Sequence, residues 1–243
     1  MLKQLVYLAF LFTFSISWSQ EKAESSKSEF KVNGTVSLNS NGIAYIPAFS
    51  LDKPAIIGAF SIAKNRFSYD PILSYTLDLK PWIIDNWLHY KIVDRPAFEL
   101  KAGAVFSAFF SEYEAQDEDV WQAQRYFAAE LVGVYKFASN GSLSLTYLHD
   151  RGIDPGSLIG HFINLGVEKS EISLGKSGLL AAAFQLFYIN YSGDNDGLFV
   201  SPKIIFSLRN IPFSIYFQAI QALNSNIDPF PGFKWNIGLA YSL

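Results

Sequence analysis

The sequence predicts an all-β fold: a transmembrane, antiparallel, up-and-down β-barrel of about 12 strands, in a range of roughly 10–14. Three observations carry this. Long segments alternate apolar and polar residues with the period of a strand that has two unlike faces. Those segments run to about 10 residues or more, where soluble strands average ~5–6. Aromatic residues make up 16% of the chain, with 22 Phe and 13 Tyr, which suits a sheet carrying rings at two membrane interfaces.

The first residues stand apart from this pattern. Lys3 precedes an apolar run from Leu5 to Phe14, and Ser15-Ile16-Ser17-Trp18-Ser19-Gln20 follows. This is the layout of a secretory signal peptide over 1–20, cut near Ser19 or Gln20. The apolar run is short for a spanning helix, which needs ~20 residues. Residues 21–29 are polar and aperiodic, a flexible lead-in. The barrel domain is expected over 30–243. Past the signal peptide no stretch of ~18 apolar, uncharged residues occurs, so helical spans are not predicted.

From there the chain reads as strand after strand. Predicted strands cover 43–51, 55–63, 66–78, 82–93, 97–111, 120–137, 141–149, 158–170, 178–191, 198–209, 211–222 and 232–243. Residues 30–38 alternate as well (Phe30, Val32, Gly34, Val36, Leu38), which would make a thirteenth strand. Single-chain bacterial barrels have even strand numbers, so the first two segments are either joined or one of them is left outside the barrel, for twelve in all. In 97–111 the set Phe98, Leu100, Ala102, Ala104, Phe106 faces one side and Glu99, Lys101, Gly103, Val105, Ser107 the other. A soluble β-sandwich has the same period. Strand length, aromatics placed toward strand ends, and the two termini of the chain favour the barrel.

The last strand is the most specific segment. Phe233, Trp235, Ile237, Leu239, Tyr241 and Leu243 share one face; Lys234, Asn236, Gly238, Ala240 and Ser242 share the other. A polar residue, a Gly two later, an aromatic three after that and an apolar terminus resemble the C-terminal assembly signal of Gram-negative outer-membrane β-barrel proteins. The matching positions are Asn236, Gly238, Tyr241 and Leu243, with Leu243 where the family pattern usually has an aromatic. The resemblance implies an outer-membrane location, contact with outer-membrane lipid and lipopolysaccharide, and recognition by the barrel assembly machinery.

Turn lengths then orient the barrel. If the last strand ends in the periplasm, Lys64-Asn65-Arg66, Asp94-Arg95-Pro96, Ser139-Asn140-Gly141, 173–178 and Asn210-Ile211-Pro212 are short periplasmic turns. The longer connections 112–119, 150–157, 192–197 and 224–232 become outer loops. They carry Glu112, Glu114, Asp117, Glu118, Asp119, Asp150, Asp154, Asp194, Asp196 and Asp228, an acidic rim.

Alternation points Asp70, Asp85, His89, Lys91, Glu99, Lys101, Glu130, Glu168, Lys203, Arg209 and Lys234 into the lumen. Charges of both signs on a lumen wall either pair and fill a barrel or line a narrow pore. The functional expectation is therefore an integral outer-membrane barrel, a narrow channel or a structural barrel. The alternatives are a lipid-modifying hydrolase and a soluble secreted β protein that binds a ligand. For the hydrolase, His149, Asp150 and Ser157 lie near one another in sequence, but no nucleophile motif accompanies them and no catalytic residue is assigned. Asp194 and Asp196 have the two-residue spacing of a calcium loop without its later bidentate Glu, so no metal site is assigned. No cofactor is expected. The chain has no cysteine, excluding a disulfide framework. A formal net charge of −3 speaks against nucleic acid as partner. A closed sheet has no edge to pair, so a monomer is expected.

Overall fold

Period-2 patterning becomes a ring of strands in the computed structural model, which describes residues 29–44, 49–115, 118–137, 140–192, 195–227 and 232–243. Among the described residues there are twelve strands: β1 (Lys31–Asn39), β2 (Ala55–Lys64), β3 (Phe67–Thr76), β4 (Pro81–Arg95), β5 (Phe98–Ala115), β6 (Glu118–Phe137), β7 (Gly141–Gly152), β8 (Ile159–Leu174), β9 (Gly178–Tyr191), β10 (Asn195–Leu208), β11 (Phe213–Ser225) and β12 (Phe233–Ser242). Each strand pairs antiparallel with its sequence neighbours, and β1 pairs β12 to close the barrel. Closure gives every strand a paired neighbour on both sides, as a sheet in hydrocarbon requires.

One predicted strand is corrected. The alternation at 30–38 is the true β1, and the described residues of the segment predicted as a strand over 43–51, 43–44 and 49–51, are in no strand. Asn39 pairs Gly238 on one side and Ala55 on the other, so β1 fills the place between β12 and β2. The described part of the chain between β1 and β2 turns inward instead. Ala44 packs with Ala55 and Trp82, and Phe49 and Leu51 lie against that group.

The loops are also shorter than expected. Glu112, Asp150 and Asp196 lie within β5, β7 and β10. Ladder pairing continues past the predicted strand ends, for example Glu112 with Trp121 and Asp196 with Asn190.

Three of the short turns carry an asparagine at positive φ: Asn65 (56°), Asn140 (57°) and Asn210 (64°). Asn tolerates this left-handed conformation better than most residues. The outer face bears Leu131, Leu145, Ile163, Ile204, Ile215 and Ile237 exposed around the barrel. Toward the short-turn end the exposed residues become aromatic and pair: Phe67 with Tyr90, Tyr135 with Phe137, and Phe213 with Tyr241. This is the layout of a lipid-facing band with an interfacial girdle.

The buried core lies inside the ring. Leu148, Phe162, Phe187, Ile189, Tyr191, Phe199 and Ile220 form one cluster, with Trp87 reaching it from β4 on the opposite wall. Phe187 sits between Phe162 and Phe199 at centroid distances of 5.6 Å and 5.2 Å. Two stacked sheets, the arrangement of a soluble sandwich, are not what the chain forms.

Candidate functional site

Inside the barrel, beside the apolar cluster, is a cavity of about 540 Å³. Its walls are unlike. Charged residues of β3 to β7 line it: Asp70, Asp85, His89, Lys101, Glu130 and Asp150. Aromatic rings supply much of the rest: Phe49, Trp87, Phe109, Tyr126 and Phe162.

The charged lining holds a connected network. Asp70 accepts hydrogen bonds from Ser61 and from Ser68, the latter at 2.6 Å, and meets His89 Nδ1. His89 Nε2 lies 3.0 Å from Glu130 Oε1, and Lys101 Nζ lies 3.6 Å from the same oxygen. The ladder explains how β4 and β6 side chains meet across β5. Gly103 is registered between His89 and Glu130, and a Cβ there would come within 2.8 Å of His89 Nε2 and 2.9 Å of Glu130 Cγ. Absence of a side chain at 103 makes the room. The Trp87 ring stacks on His89 at 5.3 Å and 6°, holding the imidazole from the other side.

Asp85 accepts from Ser107, its registered partner on β5. Asp150 is 5% exposed. Another glycine, Gly160, is registered with both Asp150 and Tyr191, and their side chains fill the space it leaves.

The other predicted lumen residues sit elsewhere. Lys91 pairs Glu99 at 3.0 Å and Asp94 at 3.7 Å, and Lys136 reaches Glu99 at 3.8 Å, all near the short-turn end. Lys203 lies over the Tyr216 ring at 4.5 Å, with Glu168 the carboxylate acting on it. Lys234, 5% exposed, meets the Asp52 carboxylate at 2.5 Å and so ties β12 to the β1–β2 connection. Arg209 falls just past β10 and donates to Ser173 at 2.8 Å. The strand ends one residue short of it.

At the C-terminus, Asn236 donates to Asn39 at 2.8 Å and accepts from the Asn41 amide at 3.1 Å. Gly238 leaves room for the Tyr216 ring, whose hydroxyl donates to Asn39. Tyr241 packs outward on Phe213, and the Leu243 amide donates to Gly34 O at 2.8 Å.

His149, Asp150 and Ser157 do not converge. Asp150 borders the interior cavity, whereas His149 meets Gly160 O at 2.9 Å and stacks on His161. Ser157 donates to Asp154 O at 2.5 Å. Asp154 itself is gripped by Arg125, at 2.5 Å from Nη2 and 2.7 Å from the backbone amide. Those bonds hold its carboxyl below the ordinary range. Asp194 lies outside the described residues, and Asp196 accepts from Tyr188 at 2.8 Å. No group of three metal-ligating side chains occurs among the described residues.

Sequence reasoning missed the apolar cluster that lies beside the cavity inside the ring. The signal was in β9, where Leu179 to Tyr191 is apolar on both faces. A strand with two apolar faces is packed on both.

No protein-family model and no curated protein sequence matches the chain. Solved structures do. The KdgM porin in complex with disordered oligogalacturonate matches with a TM-score of 0.55 and 11% identity, over 87% of this chain and 98% of that one. The fold is that of outer-membrane β-barrels. A second structure of the KdgM porin gives the same TM-score and identity. An outer membrane channel from Pseudomonas putida F1 matches at 0.54 and 11%, over 91% of this chain and 99% of that one.

Proposed function

We propose that the protein is an integral barrel of a Gram-negative outer membrane, working as a narrow, internally constricted channel for small solutes. The carrying observation is the cavity of about 540 Å³ lined both by the Asp70–His89–Glu130–Lys101 network and by aromatic rings. A structural barrel has no need of a chamber with charged walls, and a wide pore would not hold an apolar cluster across its middle. The likeness to a porin and to an outer membrane channel supports the same reading at the level of fold.

In this reading residues 1–20 are removed on export and the protein inserts as a monomer. Asn236, Gly238, Tyr241 and Leu243 serve recognition by the barrel assembly machinery. The acidic outer rim faces lipopolysaccharide. Lys91, Glu99, Lys136, Lys203 and Glu168 line the lumen's lower mouth.

Planar-bilayer recording on the purified protein tests the channel. Discrete, small conductance steps are expected. A silent wild-type protein, in a preparation that shows heat-modifiable gel mobility and is therefore folded, would favour a closed structural barrel. Recovery in the soluble periplasmic fraction would overturn the membrane assignment altogether.

A further inference from the structure

We propose that the lumen cavity binds a compact organic cation, an ammonium group carried on an apolar or aromatic body. This deepens the channel reading and rests on it for a physiological role, because the cavity lies on the path a solute would take.

The argument starts from charge. Four carboxylates border the cavity, Asp70, Asp85, Glu130 and Asp150, against one lysine, Lys101, and His89. The network uses Asp70 and Glu130: both touch His89, and Glu130 also has Lys101. Asp85 and Asp150 have no cationic partner within ion-pair distance among the described residues. Asp85 accepts from Ser107. Asp150 is 5% exposed; backbone amides donate to it, and His149 and His161 act on it from beyond ion-pair distance. A buried carboxylate without a countercharge is costly, and a cation placed beside it offsets that cost. The excess of acid marks the sign of the missing partner.

The rest of the wall decides what kind of cation. Trp87, Phe109, Tyr126 and Phe162 present ring surface to the same space, with Phe49 packed 4.8 Å from Phe109 and 5.5 Å from Tyr126. Ring faces attract cations and also accept apolar groups. They cannot replace the water shell of an inorganic ion, which wants six or more oxygens, and the described residues gather no set of three ligating side chains. An anion would meet the carboxylates. A neutral apolar molecule would leave Asp85 and Asp150 uncompensated. The volume suits a small molecule, since ligand cavities run to ~300–1,000 Å³.

The test uses three molecules that share a ring and differ in charge: phenethylammonium, 2-phenylethanol and phenylacetate. Calorimetry on the detergent-solubilised full-length protein, with Trp87 fluorescence as a second readout, should show phenethylammonium binding at least tenfold more tightly than 2-phenylethanol, and no binding of phenylacetate. The double variant D85N/D150N should lose tenfold for phenethylammonium while changing 2-phenylethanol less than twofold. Equal affinity for all three, tightest binding of phenylacetate, or no binding of phenethylammonium to the wild type would overturn the proposal, and the wild-type series does so without any variant having to fold. Conductance separates the two ideas. A conducting protein that ignores phenethylammonium keeps the channel and loses the site; a silent protein that binds it keeps the site and loses the channel.

Discussion

Trp82 holds the inward-turned connection between β1 and β2, and replacing it tests whether that connection narrows the lumen. The indole is 1% exposed, packs with Ala44 and Ala55, and donates from Nε1 to the Phe49 carbonyl at 2.9 Å. Two variants divide these contributions. Trp82→Phe keeps most of the ring and removes one hydrogen bond to a backbone carbonyl, worth about 1 kcal/mol, with a further fraction for lost ring area. Trp82→Ala removes the ring, a change that costs ~3–5 kcal/mol at a well-packed site, and takes away the surface against which Phe49 and Leu51 rest. Urea unfolding in lipid vesicles, followed by gel mobility, should therefore rank wild type above W82F above W82A, with the last step the larger. Single-channel recording should show a larger mean conductance for W82A, since Phe49 borders the cavity, and little change for W82F. If W82A unfolds within about 1 kcal/mol of wild type, the indole is not the anchor described above. If W82A is clearly destabilised yet conducts as wild type, the connection does not constrict the lumen.

Further outcomes follow from the same geometry. Gly103→Ala should drive His89 away from Glu130, seen as altered His89 resonances in NMR spectra, whereas Gly133→Ala, where a Cβ meets only the Phe98 ring at 3.8 Å or beyond, should be tolerated. Phe187→Ala should lower stability by ~3–5 kcal/mol in urea titration, because it removes the middle ring of the Phe162–Phe187–Phe199 row. Gly238→Ala should slow folding into vesicles, and a Tyr216→Ala change in the same chain should restore the rate, since the collision is with that ring; failure of the rescue would mean that Gly238 acts by another route. The Arg125–Asp154 pair makes stability depend on acid. Asp154 has a carboxyl lowered from 3.8 by Arg125, so its contribution is complete above that value and fades as pH falls through the lower folded value. Wild type and D154N should thus differ in urea midpoint near neutral pH and converge as the pH falls through the lowered folded value.

Much of this was legible because a barrel wall repeats one rule. The strands from β3 to β12, β9 excepted, follow an alternation visible in residue types, and the asparagines at 65, 140 and 210 mark turns that need a left-handed residue. The mistake at 43–51 has a physical cause: Ile43, Tyr45, Pro47 and Phe49 alternate as β1 does, and period does not say which ladder has a free edge. Only the pairing of Asn39 with both neighbours does. The cavity was harder to read. That Asp70, His89 and Glu130 face inward follows from parity, but that they touch depends on register and on the missing side chain at 103. That apolar side chains cluster inside the ring contradicts the simple rule of apolar outside and polar inside, and β9 advertised the exception.

The seam between β1 and β12 carries a mechanical implication. The two strands pair from Thr35 with Ser242 to Asn39 with Gly238, a shorter ladder than joins any other neighbours. Few ladder pairs zip the cylinder shut there, and the side-chain bonds among Asn39, Ser40, Asn41 and Asn236 reinforce them at one end. Until that zipper runs, two strand edges stand open, and an open edge in hydrocarbon is not tolerated. The membrane therefore sees either a finished tube or an unfinished sheet that something else must shield.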